Sequence, residues 1–580
     1  EPAKEAPAGD APAVPPAPPD EAAPSTPVAA PECTPASSGN PIVDGWYADP
    51  DIKIYNGVYW VYPTYSSVYE AQTFLDAFSS PDLITWTKHS KVLDKANVKW
   101  ANKAVWAPSP IFRNNTYYLY FGANDIQSNS ELGGIGVAKS NHPAGPYVDA
   151  IGRPLIDKFI NGAQPIDQNI FIDDDGQAYL YYGGWRHCNV VKVNNDMISV
   201  DMSSLREITP SGYVEGALMF KRKGKYYLMW SEGGWTGPDY RVSYSIANSP
   251  LGPFPKLGTI LAQNGAIATG SGHNSVVNVP GTEDWYIFYH RRPLGATNGN
   301  HRVLSYDRLH FNSDGTLQQV EMSTQDNFCD GNALGWSTYG GTWSVANGRY
   351  TTPQTQDAKA LLNNNFSGLT FDADVTPGPT GDAGVLFRTS SPGAGLDAYK
   401  GYYAGLSAGG DRLILGKANA GTWTELASTS VAIDANVSYH LTVVASGARI
   451  SVYLNRSAVP SVTAVDSTFT SGTIGFRAHD SAASFDNLVV SRPPGVTFYA
   501  DGSYGGLGVT LGAGTYTLAQ LNAAGIPNDW MSSLQVPPGW SVEVYQDNDF
   551  TGTMWKFTSD TASIPADAND KMTSVKIFAN

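Results

Sequence analysis

Residues 45–52 read GWYADPDI, and an aromatic strand, VYWVY, follows at residues 58–62. In the first stretch Asp49 stands between an aromatic pair and Pro50, which stiffens the backbone. The same unit, a polar or aromatic residue followed about a dozen residues later by an aromatic strand, recurs along the chain. This recurrence predicts both the fold and the place where the chemistry is done.

Five strands carry the repeat, at residues 58–62, 116–120, 178–182, 225–229 and 284–288. Their marker tyrosines are Tyr59, Tyr118, Tyr179, Tyr227 and Tyr286, separated by 59, 61, 48 and 59 residues. Four of the strands are preceded by Asn, Asp or Gly at a hairpin-turn position. Five self-similar β units predict a five-bladed β-propeller over residues 41–323.

A second series of residues precedes these tyrosines by 10, 12, 12, 12 and 13 positions: Asp49, Trp106, Asp167, Glu215 and His273. Equivalent positions in successive propeller blades surround one central channel. We therefore predict that these five side chains converge at one end of that channel.

Composition supports an all-β chain and excludes several functional classes. The 580 residues are 42% hydrophobic, 12% aromatic and only 16% charged, with 59 glycines. A net charge of −16 without a basic cluster argues against nucleic acid or an anionic membrane as partner. No apolar run reaches the roughly 18 residues of a transmembrane helix.

Three cysteines are too few for a disulfide framework. Cys33 and Cys329 flank the predicted propeller and could pair if its two ends meet, whereas Cys188 is best interpreted as a small buried hydrophobic residue.

Three carboxylates at equivalent blade positions are the central chemical signal. Glycosidic hydrolysis needs one carboxylic acid to protonate the leaving oxygen and one carboxylate to activate water or attack carbon. Glu215 lies among apolar residues, which suits the acid, and Asp49 suits the base. Asp167 can raise the pKa of the proton donor by like-charge repulsion. A single such acid is often only a turn or cap residue, but three in register indicate a site.

Six short motifs resemble glycoside hydrolase family 43: ADPDI at 48–52, SSPDL at 79–83, WAP at 106–108, ID at 166–167, VEG at 214–216 and GHN at 272–274. The resemblance implies a five-bladed propeller of the arabinofuranosidase, xylosidase and arabinanase group. It also implies an inverting mechanism, with base and acid about 6.5–9.5 Å apart. Asp49 would be the base, Asp167 the pKa modulator and orienter, and Glu215 the acid.

The same resemblance suggests the sugar-binding residues. Trp106 would form a wall of the sugar site, Trp185 lies in a segment that would form another, and Arg302 and Arg292 are candidates to hold sugar hydroxyls. For His273, ligation of a calcium ion and a hydrogen-bonded structural role both remain open. Gln168 stands where many relatives have proline, which leaves the choice of sugar open.

The remaining chain divides at changes of composition. Residues 1–40 are rich in Pro and Ala and predict a disordered linker. Residues 324–492 contain short alternating strands that predict a β-sandwich. Motifs at 326–330, 384–388 and 485–490 resemble concanavalin-like jelly-roll modules, which implies carbohydrate binding.

Residues 495–580 contain two interleaved repeats. Tyr499-x4-Tyr504-x-Gly506 recurs 46 residues later as Tyr545-x4-Phe550-x-Gly552, and NDWMSS at 528–533 recurs as NDKMTS at 569–574. The pattern predicts two Greek-key halves and resembles a calcium-binding βγ-crystallin domain. Hard oxygen donors suit Ca²⁺, and the candidate ligands are Asn528, Asp529, Ser532, Asn569, Asp570 and Thr573.

Together these observations predict a secreted, monomeric, inverting exo-glycosidase whose signal peptide has already been removed. It would remove terminal α-L-arabinofuranosyl residues from plant arabinan, arabinoxylan or arabinogalactan, without a cofactor for catalysis. Ca²⁺ is expected in the last domain, and one ion near His273 is left open. The alternatives are a β-D-xylosidase or β-D-galactofuranosidase of the same mechanism, an endo-arabinanase, and a non-catalytic lectin.

Overall fold

Short strands rich in Tyr, Val and Ile build five consecutive antiparallel sheets in the computed structural model, which describes residues 33–493, 495–537 and 539–579. The first strands of the five sheets contact one another in a closed cycle, which makes the sheets the blades of a propeller. The predicted five-bladed propeller and the all-β fold class are thereby confirmed. The predicted linker lies outside the described residues except for 33–40.

Blades I and II contain four strands each: β1 (Tyr47–Tyr55), β2 (Val58–Tyr65), β3 (Phe74–Ser80) and β4 (Thr87–Asp94), then β5 (Trp106–Arg113), β6 (Thr116–Ala123), β7 (Gly134–Ser140) and β8 (Val148–Asp149). Two 3₁₀-helices, Tyr69–Ala71 and Lys95–Asn97, lie between these strands.

Blades III to V follow in the same order. Their strands are β9 (Asn169–Ile172), β10 (Ala178–Tyr182), β11 (Asn189–Val193), β12 (Val200–Glu207), β13 (Glu215–Arg222), β14 (Lys225–Glu232), β15 (Arg241–Ala247), β16 (Gly258–Leu261), β17 (Ala268–Asn278), β18 (Trp285–Pro293) and β19 (Val303–Arg308). All five marker tyrosines lie on the second strand of their blade, as the repeat predicts.

Blade V has three strands, and residues 40–42 run along its outer strand β19. The Ile42 amide donates to the Leu304 carbonyl at 3.1 Å. The Asn40 side chain donates to the Tyr306 carbonyl and accepts from the Tyr306 amide, both at 3.0 Å. Residues 33–40 therefore belong to the packed structure. A disulfide joins Cys33 to Cys329, and Cys188 is a buried free thiol whose pKa burial raises to about 12.

The next region is a β-sandwich, as predicted. One sheet has the order β22-β23-β34-β25-β30-β31-β32 with β20 beside β34, and the other β21-β24-β33-β26-β27-β28-β29. Its strands are β20 (Thr324–Asp326), β21 (Trp336–Tyr339), β22 (Ser344–Ala346), β23 (Arg349–Thr352), β24 (Ala358–Leu362), β25 (Leu369–Thr376), β26 (Asp382–Ser390), β27 (Lys400–Ser407), β28 (Arg412–Asn419), β29 (Thr422–Ser430), β30 (Tyr439–Ser446), β31 (Arg449–Leu454), β32 (Val462–Val465), β33 (Thr473–His479) and β34 (Ala483–Ser491).

The last region packs two small sheets, of order β36-β35-β38 and β37-β41-β39-β40. Its elements are β35 (Val496–Tyr499), β36 (Gly508–Leu511), β37 (Gly514–Tyr516), helix α1 (Leu518–Ala523), β38 (Ser533–Gln535), β39 (Ser541–Asp547), a 3₁₀-helix (Asn548–Phe550), β40 (Thr551–Phe557) and β41 (Ser574–Phe578). No helix among the described residues is long and apolar enough to cross a membrane.

The two sequence repeats of this region adopt the same local structure. In the first, Ser533 donates to the Asp501 carbonyl at 2.6 Å and accepts from the Tyr504 amide at 3.0 Å. In the second, Ser574 makes the matching contacts with Asp547 and Phe550 at 2.7 and 3.0 Å. The halves are thus structurally equivalent, although their likeness to βγ-crystallins stays a prediction.

Candidate active site

The first strand of each blade is kinked near its predicted channel residue. The kinked residues have positive φ angles: Asp49 (50°), Ala107 (44°), Asp167 (55°), Gly216 (68°) and His273 (44°). In four blades a β-bulge breaks the strand register at this point, and in blade III Asp167 lies just before β9. Bulges and left-handed residues redirect side chains and cluster at functional sites. Here they turn side chains toward the channel.

These side chains line one pocket of about 420 Å³. Of the predicted catalytic and sugar-binding residues, it contains Asp49, Trp106, Asp167, Trp185, Glu215, His273 and Arg302. Arg292 is not among the lining residues. Its side chain is buried in blade V against Gly270, where an added Cβ would lie 2.7 Å from Nε.

Asp49 is a buried carboxylate surrounded by cationic and neutral nitrogen groups. Arg302 Nη1 lies 3.4 Å and His273 Nδ1 3.2 Å from Oδ1. Burial alone would raise the pKa of Asp49, but Arg302 and His273 hold it well below its usual range. Asp49 is therefore ionised at neutral pH, the state that a general base requires.

His290 supports Asp49 as a neutral ring. Its Nδ1 accepts the Asp49 backbone N–H at 3.2 Å, so this nitrogen carries no proton. Burial lowers the pKa of His290 to about 4. The 3.3 Å approach of the same nitrogen to the Asp49 carboxylate is accordingly not an ion pair.

His273 bridges two of the carboxylates, with Nδ1 3.2 Å from Asp49 Oδ1 and 3.6 Å from Asp167 Oδ2. Burial would lower the pKa of His273, but Asp167 and Asp49 outweigh burial and raise it to about 9. The ring is thus an imidazolium that pairs with carboxylates. Within the described ranges, no group of three or more His, Cys, Asp or Glu side chains is arranged to hold a metal ion, and an ion near His273 stays a prediction.

Glu215 receives a hydrogen bond that the sequence analysis did not foresee. The Tyr240 hydroxyl donates to Oε1 at 2.9 Å, and the Tyr240 ring stacks on His290 at 5.6 Å between centroids. Gly272 makes room for this ring, because an added Cβ would lie 2.3 Å from it. Tyr240 therefore links the surroundings of Glu215 to those of Asp49.

Asp167 and Glu215 hold protons more tightly than ordinary carboxyl groups. Burial raises the pKa of Glu215, partly offset by the Tyr240 hydrogen bond and by His273. Burial also raises the pKa of Asp167, with the Glu215 and Asp49 charges adding to it and His273 opposing it. Asp49, with a lowered pKa, and Glu215, with a raised pKa, thus line the same pocket. That combination is what acid–base hydrolysis requires.

Aromatic rings form two walls of the pocket. Trp106 meets Tyr69 edge-to-face at 5.1 Å, and Gly122 leaves space for the indole, since an added Cβ would lie 2.6 Å from its Nε1. Trp185 is 49% exposed and packs on Phe159 at 4.8 Å. Both tryptophans thus hold positions in which a sugar can contact them.

Seven further residues line the pocket without having been predicted: Tyr69, Gln72, Asp125, Gln127, Gln164, Ile166 and Trp235. Gln164 Nε2 donates to Asp125 Oδ1 at 2.9 Å, and the Arg302 guanidinium lies 4.9 Å from the Trp235 ring centroid. Asp125 and Gln127 belong to the loop at 125–134, and no spacing rule singles them out within it. Tyr240, which lies just before β15, and His290, on the aromatic strand β18, carry no sequence signal of their own.

The six predicted calcium ligands pair across the two halves of the last region. Thr573 donates to Asn528 Oδ1 at 2.9 Å, and Ser532 lies 3.4 Å from Asp570 Oδ1. Each NDxxS/T motif thereby contributes its hydroxyl beside the Asn-Asp pair of the other motif. Asp529 and Asp570 both have a φ of 53°, so the two Asn-Asp corners are alike.

The propeller and the sandwich each match a known protein family. Residues 38–317 match the family model of glycosyl hydrolases family 43, and residues 325–491 match that of a 3-keto-alpha-glucoside-1,2-lyase-like domain. Beta-D-galactofuranosidase xynD of Aspergillus niger is 48% identical over 303 residues, covering 50% of this chain and 86% of that protein.

Two more distant similarities cover the same half of the chain. An arabinoxylan arabinofuranohydrolase of Bacillus subtilis is 30% identical over 341 residues, covering 49% of this chain and 64% of that protein. The solved structure of an alpha-L-arabinofuranosidase of Clostridium thermocellum has 32% identity and a TM-score of 0.40, covering 47% of this chain and 93% of that chain. Because the family model matches the propeller and a relative 48% identical is covered over most of its length, the chain belongs to glycosyl hydrolases family 43 and is a glycoside hydrolase.

Proposed function

We propose that this protein is an inverting exo-glycosidase that removes terminal α-L-arabinofuranosyl residues from plant polysaccharides. The observation that carries the proposal is the charge state of the pocket. It combines a buried Asp49 of lowered pKa with a Glu215 of raised pKa. An inverting glycosidase needs an ionised base on one side of the sugar and a protonated acid on the other.

In this mechanism Asp49 takes a proton from a water molecule, which attacks the anomeric carbon from the face opposite the leaving group. Glu215 gives its proton to the leaving oxygen, so the glycosidic bond breaks as the new bond to water forms. Burial and the Asp49 charge keep the pKa of Glu215 raised, and Asp167 is assigned the role of orienter. Arg302 and His273 hold the Asp49 carboxylate in place. After turnover, the two carboxyl groups exchange protons with solvent.

The shape of the pocket supports exo action. Residues of the 125–134 loop, Asp125 and Gln127, line one side, and Trp185 lines another. A pocket of about 420 Å³ accommodates a terminal sugar. An endo-arabinanase would instead need a cleft open at both ends. Hydrolysis of the polymer with no release of monosaccharide would overturn the exo assignment.

A terminal β-D-galactofuranosyl residue is the second candidate, because the relative that is 48% identical is named a beta-D-galactofuranosidase. The two sugars have the same ring configuration, and galactofuranose carries one additional hydroxymethyl group on its exocyclic carbon. One added group in a pocket is worth only about 1–3 kcal/mol. β-D-Xylosidase activity remains a further alternative.

A panel of nitrophenyl glycosides separates these candidates. We expect the highest kcat/KM with the α-L-arabinofuranoside, and measurable activity with the β-D-galactofuranoside. Preference for the galactofuranoside or the β-D-xyloside would replace the arabinofuranosyl assignment while keeping the mechanism. No hydrolysis of any glycoside or polymer would favour a glycan-binding lectin.

The variant Glu215→Gln tests the acid, because glutamine keeps the shape but cannot donate the proton. We expect a loss of at least about 100-fold on a natural polymer, the lower bound of a general-acid contribution. The loss should be smaller with an activated aryl leaving group. A matched control, Glu283→Gln, changes an exposed glutamate of blade V and should keep full activity. Unchanged turnover of both substrates by the Glu215 variant would remove Glu215 from the mechanism.

We further propose that the last region binds two calcium ions. One corner brings Asn528 and Asp529 together with Thr573, and the other brings Asn569 and Asp570 together with Ser532. Both corners supply oxygen donors, which suit the hard Ca²⁺ ion. Calorimetric titration should give about two sites, and Asp529→Ala or Asp570→Ala should each remove one. No heat and no rise in melting temperature with Ca²⁺ would make the repeats purely architectural.

Secretion, a monomeric state and carbohydrate binding by the sandwich complete the proposal. The disulfide between Cys33 and Cys329 suits an oxidising compartment. Light scattering of the full chain tests the monomer, and retention on insoluble arabinoxylan by a catalytically inactive Glu215→Gln chain tests glycan binding. A cytosolic location in the source cells would contradict secretion.

A further inference from the structure

Two tryptophans stand out by their exposure. All 15 tryptophans of the chain lie among the described residues, and of these Trp46, at 39%, and Trp185, at 49%, are exposed. Trp185 lines the catalytic pocket. Trp46 is outside the pocket lining, three residues before Asp49. Tryptophan combines a large apolar body with a polar N–H group and is enriched at binding interfaces.

Trp46 is held flat by a partner from the far end of the propeller sequence. Its ring stacks on His301 with 4.4 Å between centroids and an interplanar angle of 10°. Two neighbouring contacts fix the backbone of the pair: the Ser66 amide donates to the Trp46 carbonyl at 3.0 Å, and Ser66 Oγ donates to the Asn300 carbonyl at 2.8 Å. The stacked pair therefore presents a rigid, flat face to solvent.

The same framework is tied directly to the catalytic carboxylate. Arg302 follows His301, donates from Nε to Ser66 Oγ at 3.0 Å and lies 3.4 Å from Asp49 through Nη1. The Tyr47 amide, next to Trp46, donates to the Arg302 carbonyl at 2.8 Å. The stacked pair thus lies at the rim of the pocket, beside Asp49 and outside the space that the terminal sugar fills.

The position around the propeller adds a second argument. Trp46 precedes blade I and His301 lies in blade V, whereas Trp185 lies in blade III. In a closed ring of five blades, the junction of blades V and I is opposite blade III. The two exposed tryptophans therefore lie on opposite sides of the propeller axis, Trp185 in the pocket wall and Trp46 beside the backbone of Arg302, which also lines the pocket. A sugar chain that lies across the pocket would meet an aromatic ring on each side.

Resting on the proposed function, in which the pocket holds the terminal sugar, we propose that the Trp46–His301 pair is a stacking platform for the part of the polysaccharide that extends beyond the cleaved bond and out of the pocket. The C–H face of a pyranose or furanose ring is apolar and matches a flat indole face, while its hydroxyl edges stay in water. Large rigid aromatic side chains give contact area at low conformational cost, and they dominate binding energy where they occur.

The platform should matter only for substrates that extend beyond the cleaved bond. With arabinan or arabinoxylan, Trp46→Ala should raise KM about tenfold, the loss expected when one aromatic anchor is truncated. With a methyl glycoside of the same sugar, whose leaving group is too small to reach Trp46, kcat/KM should stay unchanged. His301→Ala should give a smaller loss on polymer, since the indole remains but is no longer held flat.

The matched control is Phe112→Ala. Phe112 is 42% exposed and lies near the end of β5, the strand whose other end carries Trp106 at the pocket. Phe112 is thus an exposed aromatic residue at the far end of the propeller, and Phe112→Ala should leave the kinetic constants of both substrates unchanged. Trp46→Phe keeps an aromatic face and should retain most of the polymer activity.

The results distinguish a binding platform from a purely structural role of Trp46. A loss confined to polymer supports the platform, whereas equal loss on both substrates, or no loss on either, overturns it. If Trp46→Ala lowers the melting temperature, His301→Ala and Trp46→Phe decide the question in folded protein. If the wild-type protein hydrolyses no glycoside, the proposed function itself is refuted. If the wild type is active and Trp46→Ala is equally active on the polymer, only the platform is refuted.

Discussion

Replacing Tyr240 by phenylalanine tests how the protein sets the protonation of Glu215. The Tyr240 hydroxyl donates to Glu215 Oε1 at 2.9 Å and lowers the pKa of this carboxyl group against the raising effect of burial. A hydrogen bond to a charged group is worth about 1.5–3 kcal/mol. One pH unit corresponds to about 1.4 kcal/mol between two protonation states. Loss of the hydroxyl should therefore move the titration of Glu215 upward by about one to two pH units.

The sign of the effect on activity follows from the role of Glu215. A general acid must be protonated, so activity falls on the alkaline side as the group ionises. Tyr240→Phe keeps Glu215 protonated to higher pH and should shift the alkaline limb of kcat/KM upward by that amount. The acidic limb, which reports ionisation of Asp49, should move little because Arg302 and His273 are unchanged.

The assay is the pH dependence of kcat/KM with an aryl α-L-arabinofuranoside. Tyr289→Phe is the matched control, because its hydroxyl donates to a buried carboxylate, Asp307 Oδ2 at 2.7 Å, that does not line the pocket. This control should leave both limbs in place. An alkaline limb that stays in place or moves downward in Tyr240→Phe would refute Glu215 as the acid positioned by Tyr240.

Three further predictions probe other parts of the account. Arg302→Met removes the largest influence lowering the pKa of Asp49, so the acidic limb of kcat/KM should move to higher pH; an unchanged limb would exclude Asp49 as the base. Gly122→Ala places a Cβ 2.6 Å from Trp106 Nε1 and should displace this wall, raising KM in a protein whose circular dichroism is unchanged; a normal KM would show that Trp106 does not contact the sugar. Cys329→Ser opens a disulfide that spans 296 residues and should lower the free energy of unfolding by about 2–5 kcal/mol, measured by denaturant titration; an unchanged midpoint would mean that the link adds no stability.

The propeller could be predicted because its signal repeats. Each blade places an aromatic strand a fixed distance after a channel residue, and five copies reduce the chance of coincidence. The predicted channel residues, from Asp49 to His273, line the same pocket because they occupy equivalent kinked positions. Periodicity along the chain was sufficient to identify these positions without any knowledge of the contacts.

The rest of the pocket could not be predicted because loop contacts have no period. Tyr240 reaches Glu215 from outside the repeated position, and Gln164 meets Asp125 across two loops. Arg292 illustrates the opposite error. An arginine near the channel end of a strand is equally compatible with burial in the blade, and here it packs against Gly270. Arg302, which lies just before β19, contacts Asp49 instead.

The interleaved motifs of the last region were foreseeable as a pair, but their arrangement was not. The sequence repeat gives each half one NDxxS/T copy and does not record which side chains of the two copies meet. In the structure Thr573 meets Asn528 and Ser532 meets Asp570, so the hydroxyl of each copy lies at the corner of the other. Such an exchange arises from the packing of the two halves, which short-range patterns do not record.

The most direct test of the central claim is the anomeric configuration of the first sugar released, followed by proton NMR before mutarotation. If Asp49 activates water for a single displacement, an α-L-arabinofuranoside must first yield the β anomer. Release of the α anomer would require a covalent glycosyl intermediate and would contradict the assignment of Asp49 as the general base.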